Sequence, residues 1–96
     1  MALRVFRCSI CGALNGLPSQ RSVEHPRCGH CRSDMLVDGS PQDVDLGAFE
    51  TTVEHAPVPV LVDFGADWCH PCRLARPIVD AVARERAGAW LVLRVD

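Results

Sequence analysis

Apolar positions along the chain change character near residue 44. Residues 1 to about 35 carry no long periodic segment, whereas several stretches beyond them do. Leu46, Phe49 and Val53 recur at the spacing of one helical face, and Asp45 just before them is a residue type that caps helix starts. A short amphipathic helix is expected there. Pro57-Val-Pro leads into Val60 to Phe64, a nearly continuous apolar run of strand length. Leu74, Ile78 and Val82 then repeat every fourth residue, with Arg73, Arg76, Asp80 and Arg84 on the other faces. This predicts a helix from about Pro71 to Ala87, closed by Gly88. Pro77 falls inside it, lacks the amide that would bond to residue 73, and is expected to kink the axis. Trp90 to Val95 reads as another strand. Strand, helix, strand at this length is a βαβ unit with a parallel pair and a right-handed crossover, so the fold class is α/β.

The segment Val37 to Asp43, VDGSPQD, has the turn chemistry of a linker. The chain therefore divides into residues 1–36, a linker at 37–43, and residues 44–96. The first part contains CSICG, a loop rich in Asn, Gly, Pro and Ser from Asn15 to Ser22, and CGHCR. The whole chain's 96 residues suit one modest domain or two very small ones, whose cores often need a metal or a disulfide. A net charge of −2 gives no basic excess to attract nucleic acid, and no run approaches the roughly 18–20 apolar residues of a membrane span. The opening MALRVFRCSI lacks an apolar h-region, which argues against a secretory signal. Without export, the 6 cysteines point to metal or redox chemistry rather than a disulfide framework. All of them sit in C-x-x-C pairs.

The first four, Cys8, Cys11, Cys28 and Cys31, are spaced C-x2-C-x16-C-x2-C, as in a four-thiolate zinc ribbon. Two knuckles bring four soft thiolates onto a tetrahedron that a d10 ion accepts without strain. Gly12 and Gly29 are expected to allow the tight turns of the knuckles. Four cysteines fill the shell, so one structural zinc ion is expected; iron would use the same sulfurs. His25 and His30 read as solvated residues rather than ligands.

The third pair has a different setting. Cys69-His70-Pro71-Cys72 follows an apolar strand and opens a helix, so Cys69 is expected in the first helical turn. Free amides and the positive end of the helix dipole there favour thiolate over thiol. The spacing lets Cys72 reach back across one turn to close a disulfide with Cys69, and Pro71 suits a first turn. A metal site would need two further ligands nearby, and none comes as a pair. This pair reads as redox chemistry.

The stretch Asp63-Phe-Gly-Ala-Asp-Trp-Cys-His-Pro-Cys-Arg, with Pro77 five residues past Cys72, resembles the active-site segment of thioredoxins. The preceding double knuckle resembles the zinc-bearing N-terminal extension of bacterial thioredoxins of the second type. The resemblance implies a zinc ribbon followed by an incomplete thioredoxin fold, here a βαβ unit with a preceding short helix. It implies that Cys69 attacks substrate disulfides and that Cys72 resolves the mixed disulfide. Asp63 would move the proton of the resolving thiol; a desolvated carboxylate in an apolar strand is expected to titrate above its ordinary range. An ordinary half-exposed strand position is the other reading of Asp63. Trp68 would shape the docking surface, or else serve as a core aromatic.

By the same resemblance, protein disulfides are the substrates, a flavin-dependent thioredoxin reductase using NADPH supplies electrons, and the setting is the bacterial cytoplasm. His70 stands where thioredoxins usually have glycine; beside Cys69 it is expected to stabilise the thiolate and make the couple somewhat more oxidising. Gly65 replaces a frequent tryptophan and is expected to loosen the packing behind the motif. Thioredoxins continue with two more strands, a helix and a cis-proline loop, so a chain ending at Asp96 is expected to leave one edge of the Val60–Phe64 strand open. The chain then reads as the N-terminal fragment of a longer thioredoxin, and unless a second copy supplies the missing strands in a strand-exchanged dimer, weak stability and much reduced activity are expected. The other functional readings are a zinc-ribbon binding module with a vestigial dithiol, and a metal- or redox-sensing protein.

Overall fold

The computed structural model describes residues 3–18, 25–66 and 68–96. The end of the polar loop expected at Asn15–Ser22, from residue 19 onward, and Asp67 of the cysteine motif lie outside the described residues.

The first element is a hairpin: β1 (Leu3–Arg7) runs antiparallel to β2 (Leu14–Pro18), with Val5 opposite Gly16. The first cysteine knuckle connects these strands. The second forms its own tight turn, closed by Cys28 N–H to Ser33 O at 2.9 Å and Arg32 N–H to Cys28 O at 2.9 Å. Phe6, Cys8, Cys28 and Met35 are the buried centre of this small layer, and Ala13, Leu17 and Val37 pack against it.

A three-stranded parallel sheet follows, in the order β3-β5-β4. β3 is Gln42–Asp43, α1 is Leu46–His55, β4 is Val60–Phe64, α2 is His70–Glu85 and β5 is Leu91–Val95. The expected parallel βαβ unit is present, with Val60 opposite Leu91 and Phe64 opposite Val95. Asp45 caps α1 by accepting the Ala48 amide at 2.7 Å. β5 is the most buried strand, its Leu93 only 1% exposed. β4 lies at the edge of the sheet, with one strand neighbour among the described residues.

Four expectations change. Asn15–Pro18, read as the start of a polar loop, belongs to strand β2 and pairs with β1. Gln42–Asp43, read as part of a 37–43 linker, forms β3 and pairs with Leu93 and Arg94. The helix ends at Glu85 with Arg86 as its cap, and Gly88 (φ +84°) belongs to the following turn. The apolar stripe assigned to the core face of α2 is largely turned to solvent: Leu74 and Ile78 are 64% and 66% exposed. The buried contact of α2 comes instead from Ala83. Close approach explains this. A Cβ on Gly39 (φ +83°) would overlap the Ala83 carbonyl and come within 2.7 Å of the Ala87 Cβ. Only glycine and alanine surfaces let these segments touch, and that contact orients the helix.

The hairpin layer and the sheet share a seam. Val5 N–H bonds to Gly88 O at 2.8 Å. Arg7 donates from Nη1 to Gln42 Oε1 at 2.7 Å, and Gln42 returns a 2.7 Å bond from Nε2 to the Arg7 carbonyl. Gly88 packs on Arg4, with 2.5 Å between the Arg4 Cβ and any Cβ placed at residue 88. The Gly88 contacts lie just past the C-terminal end of α2, roughly 24 Å of helix from its N-cap Cys69. The Arg7–Gln42 pair lies at β3 instead, next to Asp43, which lines one cavity with Cys72.

Candidate functional site: two sulfur centres

Four sulfurs form the first centre. The Sγ atoms of Cys8, Cys11, Cys28 and Cys31 all lie within 4.8 Å of one another, the Cys8–Cys31 pair at 3.7 Å and the Cys11–Cys28 pair at 3.5 Å. A tetrahedral ion with metal–sulfur bonds of about 2.3 Å requires sulfurs about 3.8 Å apart, so the cluster can hold a metal ion. Cys8 and Cys28 are buried and Cys11 is exposed. The two knuckles share one backbone plan: the residue after the second cysteine of each takes a left-handed conformation, Gly12 at φ 81° and Arg32 at φ 69°. Gly29, expected to serve the second turn, is therefore not the residue that supplies it. His25 and His30 contribute no ligand atom to the cluster.

The metal-free thiols are unequal. Cys28 is lowered to about 6, first by the Cys31 amide and then by the His30 amide and the Asn15 side chain, which together outweigh burial. Cys11 is raised to about 11: the Ala13 amide pulls it down, but lost solvation and sharing of its proton with the other three sulfurs prevail.

The second centre is the pair Cys69–Cys72, joined as a disulfide with Cα atoms 5.3 Å apart. Cys69 is the N-cap of α2, and its sulfur accepts the Cys72 amide at 3.3 Å. When the disulfide opens, that amide and the helix dipole stabilise a thiolate at Cys69. Pro71 falls in the first turn, and His70 is exposed. Trp68 is 86% exposed and thus lies on the surface beside the motif rather than in a core.

Behind the pair lies a cavity of about 340 Å³ that Cys72 shares with Asp63, Gly65, Arg76, Arg94 and Asp96. Asp63 is largely buried and accepts from Arg94 Nε at 3.2 Å. Arg94 forks, donating from Nη2 to Asp80 Oδ1 at 2.9 Å. These bonds outweigh burial and raise the Arg94 guanidinium further above its ordinary range. Sequence reasoning placed Asp80 on a polar helix face and missed Arg94. A signal was present: VLVDF and LVLRV each hold one charge among apolar residues, of opposite sign, and in register as Asp63 opposite Arg94. Gly65 lies close against Cys72. A Cβ there would stand 3.2 Å from the Cys72 Cβ, tighter than ordinary contact.

A sequence model described as Thioredoxin matches residues 41–96, the part holding the sheet and the dithiol. The chain belongs to the thioredoxin family. Thioredoxin C-3 of Corynebacterium nephridii is 33% identical over 81 residues, covering 84% of this chain and 55% of the relative. Chloroplastic thioredoxin M-type of Chlamydomonas reinhardtii is 39% identical over 71 residues, 72% of this chain and 51% of the relative. Thioredoxin of Allochromatium vinosum is 51% identical over 41 residues, 43% of this chain and 38% of the relative. The chain thus spans about half the length of these thioredoxins. The match to thioredoxin C-3 is long enough to take in Cys28 and Cys31 wherever it is set along the 96 residues. No described helix of this thioredoxin-family chain is long and apolar enough to cross a membrane.

Proposed function

We propose that the chain is a thiol–disulfide oxidoreductase that reduces protein disulfides through Cys69 and Cys72. The carrying observation is the dithiol itself, a bonded pair whose first sulfur caps a helix and accepts an amide. In the reduced state the Cys69 thiolate attacks one sulfur of a substrate disulfide, forming a mixed disulfide and expelling the other substrate sulfur as thiolate. The Cys72 thiolate then attacks the Cys69 sulfur, closing the Cys69–Cys72 bond and releasing the second substrate thiolate. Two electrons pass to the substrate, and two protons complete its thiols. Asp63, facing the cavity shared with Cys72, takes the proton that Cys72 gives up. Trp68, His70 and Pro71 form the exposed rim that meets the substrate, and His70 makes the couple more oxidising by supporting the Cys69 thiolate. A thioredoxin reductase resets the pair.

In this reading the four-cysteine cluster is a structural zinc site, of the kind borne by bacterial thioredoxins of the second type, and the protein works in the bacterial cytoplasm. Bound zinc would supply four bonds tying the two knuckles together around a core as small as Phe6 and Met35. Reduction of insulin disulfides tests the activity. Wild type is expected to precipitate the insulin B chain, Cys69→Ser to lose this entirely, and Cys72→Ser to accumulate a mixed disulfide. Equal activity in wild type and Cys69→Ser would refute the assignment.

One observation favours a second reading, a metal-bearing interaction module with little reductase activity. Among the described residues the outer edge of β4 has no strand partner, and Phe64, Leu74 and Ile78 are exposed. The remaining strands of the family, or a second copy exchanging strands, would cover this edge. Sedimentation of the 96-residue chain separates the cases, since a strand-exchanged dimer is expected at twice the 10.5 kDa monomer mass.

A further inference from the structure

The four-sulfur cluster is braced from outside by one side chain of the opposite hairpin. Asn15 lies on β2, and its Oδ1 accepts the Gly29 amide at 2.9 Å. An amide N–H can only donate, so this bond fixes which end of the Asn15 side chain faces the second knuckle. The Nδ2 group is then committed to the other direction, where it meets the Ala13 carbonyl at 3.2 Å and Cys28 Sγ at 3.6 Å. Cys28 Sγ also accepts the His30 amide at 3.3 Å and the Cys31 amide at 3.5 Å. This sulfur is wholly buried, 0% exposed, with three N–H groups aimed at it. Cys11, its 3.5 Å neighbour, is exposed.

We propose that Asn15 is a positioning residue of the metal centre, holding Cys28 as the anchoring ligand so that exchange of the ion begins at Cys11. The proposal rests on the reading of the cluster as a metal site. Its physical basis is charge and geometry. Donors directed at a thiolate hold negative charge in place and orient the lone pair toward the ion. Asn15 does so while bridging the two knuckles, from the first hairpin to the turn of Cys28. A donor borrowed from the opposite hairpin therefore links the position of Cys28 to the fold of the first knuckle.

The test uses the full chain loaded with zinc alone, with Asn15→Ala and Asn15→Asp beside wild type. Asn15→Asp keeps the side-chain shape and the acceptor for Gly29, but turns an acceptor of negative charge toward Cys28 instead of a donor. Competition with a chromogenic chelator measures zinc affinity, and limited alkylation with peptide mass spectrometry ranks the four sulfurs. Affinity is expected to fall roughly 10- to 100-fold in Asn15→Ala and at least as far in Asn15→Asp. As the chelator draws zinc out of wild type, Cys11 is expected to be alkylated before Cys28, and in both variants Cys28 labelling is expected to rise toward that of Cys11. Loss in Asn15→Ala with full retention in Asn15→Asp would show that the donor to Cys28 is not needed, leaving only shape and the Gly29 bond, and would overturn the proposal. Affinities within threefold of a wild type that binds one zinc would overturn it while leaving the metal site intact. A wild type that binds no zinc would overturn both.

Discussion

Replacing Arg94 by methionine removes the charge that faces two carboxylates while keeping most of the side-chain stem. Asp63 is the partner that suffers most: its side chain is 15% exposed, against 38% for Asp80. At the observed 3.2 Å the attraction is about 1 kcal/mol in a water-like medium and about 5 kcal/mol at an effective dielectric of 20. Arg94 itself keeps 20% of its side-chain exposure, so the working value lies between these limits. Breaking a buried pair by deleting one member typically costs about 3–5 kcal/mol, because the survivor is left uncompensated. Arg76 lines the same cavity and offers partial compensation. We expect Arg94→Met to destabilise the folded chain by about 2–4 kcal/mol at neutral pH. Asp63→Asn is expected to cost about 1 kcal/mol, since Arg94 retains Asp80. In the double variant the uncompensated charge is gone, so its cost is expected to fall below that of Arg94→Met alone. Urea denaturation followed by circular dichroism gives all three values, and their non-additivity isolates the pair. A loss below about 0.5 kcal/mol in Arg94→Met, or strict additivity of the two changes, would refute the reasoning.

Three further outcomes follow from local geometry. Arg32 sits at φ 69°, where a side chain costs about 1 kcal/mol, so Arg32→Gly is expected to raise stability or zinc retention modestly, as seen in thermal melts. Gly39→Ala is expected to destabilise by more than about 2 kcal/mol, because its Cβ would meet α2 backbone and the residue is at φ +83°; a neutral result in the same melts would contradict the packing described. In metal-free protein with Cys69 and Cys72 changed to serine, thiolate absorbance should begin to rise near pH 6 as Cys28 ionises and finish near 11 with Cys11. The sign is fixed by the donors: groups that stabilise thiolate lower the Cys28 value, so it carries charge at neutral pH when an ordinary thiol does not. A single transition near the usual thiol range would contradict the inequality.

Much of the redox half was legible in the sequence. The bounds of β4 are legible because VLVDF is an apolar run broken only by Asp63, and Asp45 announces α1 through its chemistry as a cap. The C-x2-C pairs announced both sulfur centres, since a knuckle and a helix-capping dithiol differ in what flanks them. What stayed hidden was tertiary. LRVFR and LNGLP do not alternate cleanly, so β1 and β2 are set by backbone pairing and the knuckle between them. Gln42–Asp43 looks like a turn and becomes a strand only because β5 offers it a free edge. Periodicity found α2 but not its buried face, which is decided by the approach of Gly39 to Ala83 and by the Asp80–Arg94 ion pair. Asn15 carries no motif at all; only the fold brings it to Cys28.

In the proposed function the six cysteines divide into four that hold an ion and two that exchange electrons. Reduced, zinc-loaded protein should be treated with excess alkylating agent under native conditions, then weighed intact and sequenced by mass spectrometry. The expected product carries two labels, on Cys69 and Cys72, and retains one zinc per chain, with four more labels added only after the metal is chelated. Six labels without chelation, or labels spread evenly over all three pairs, would contradict the account.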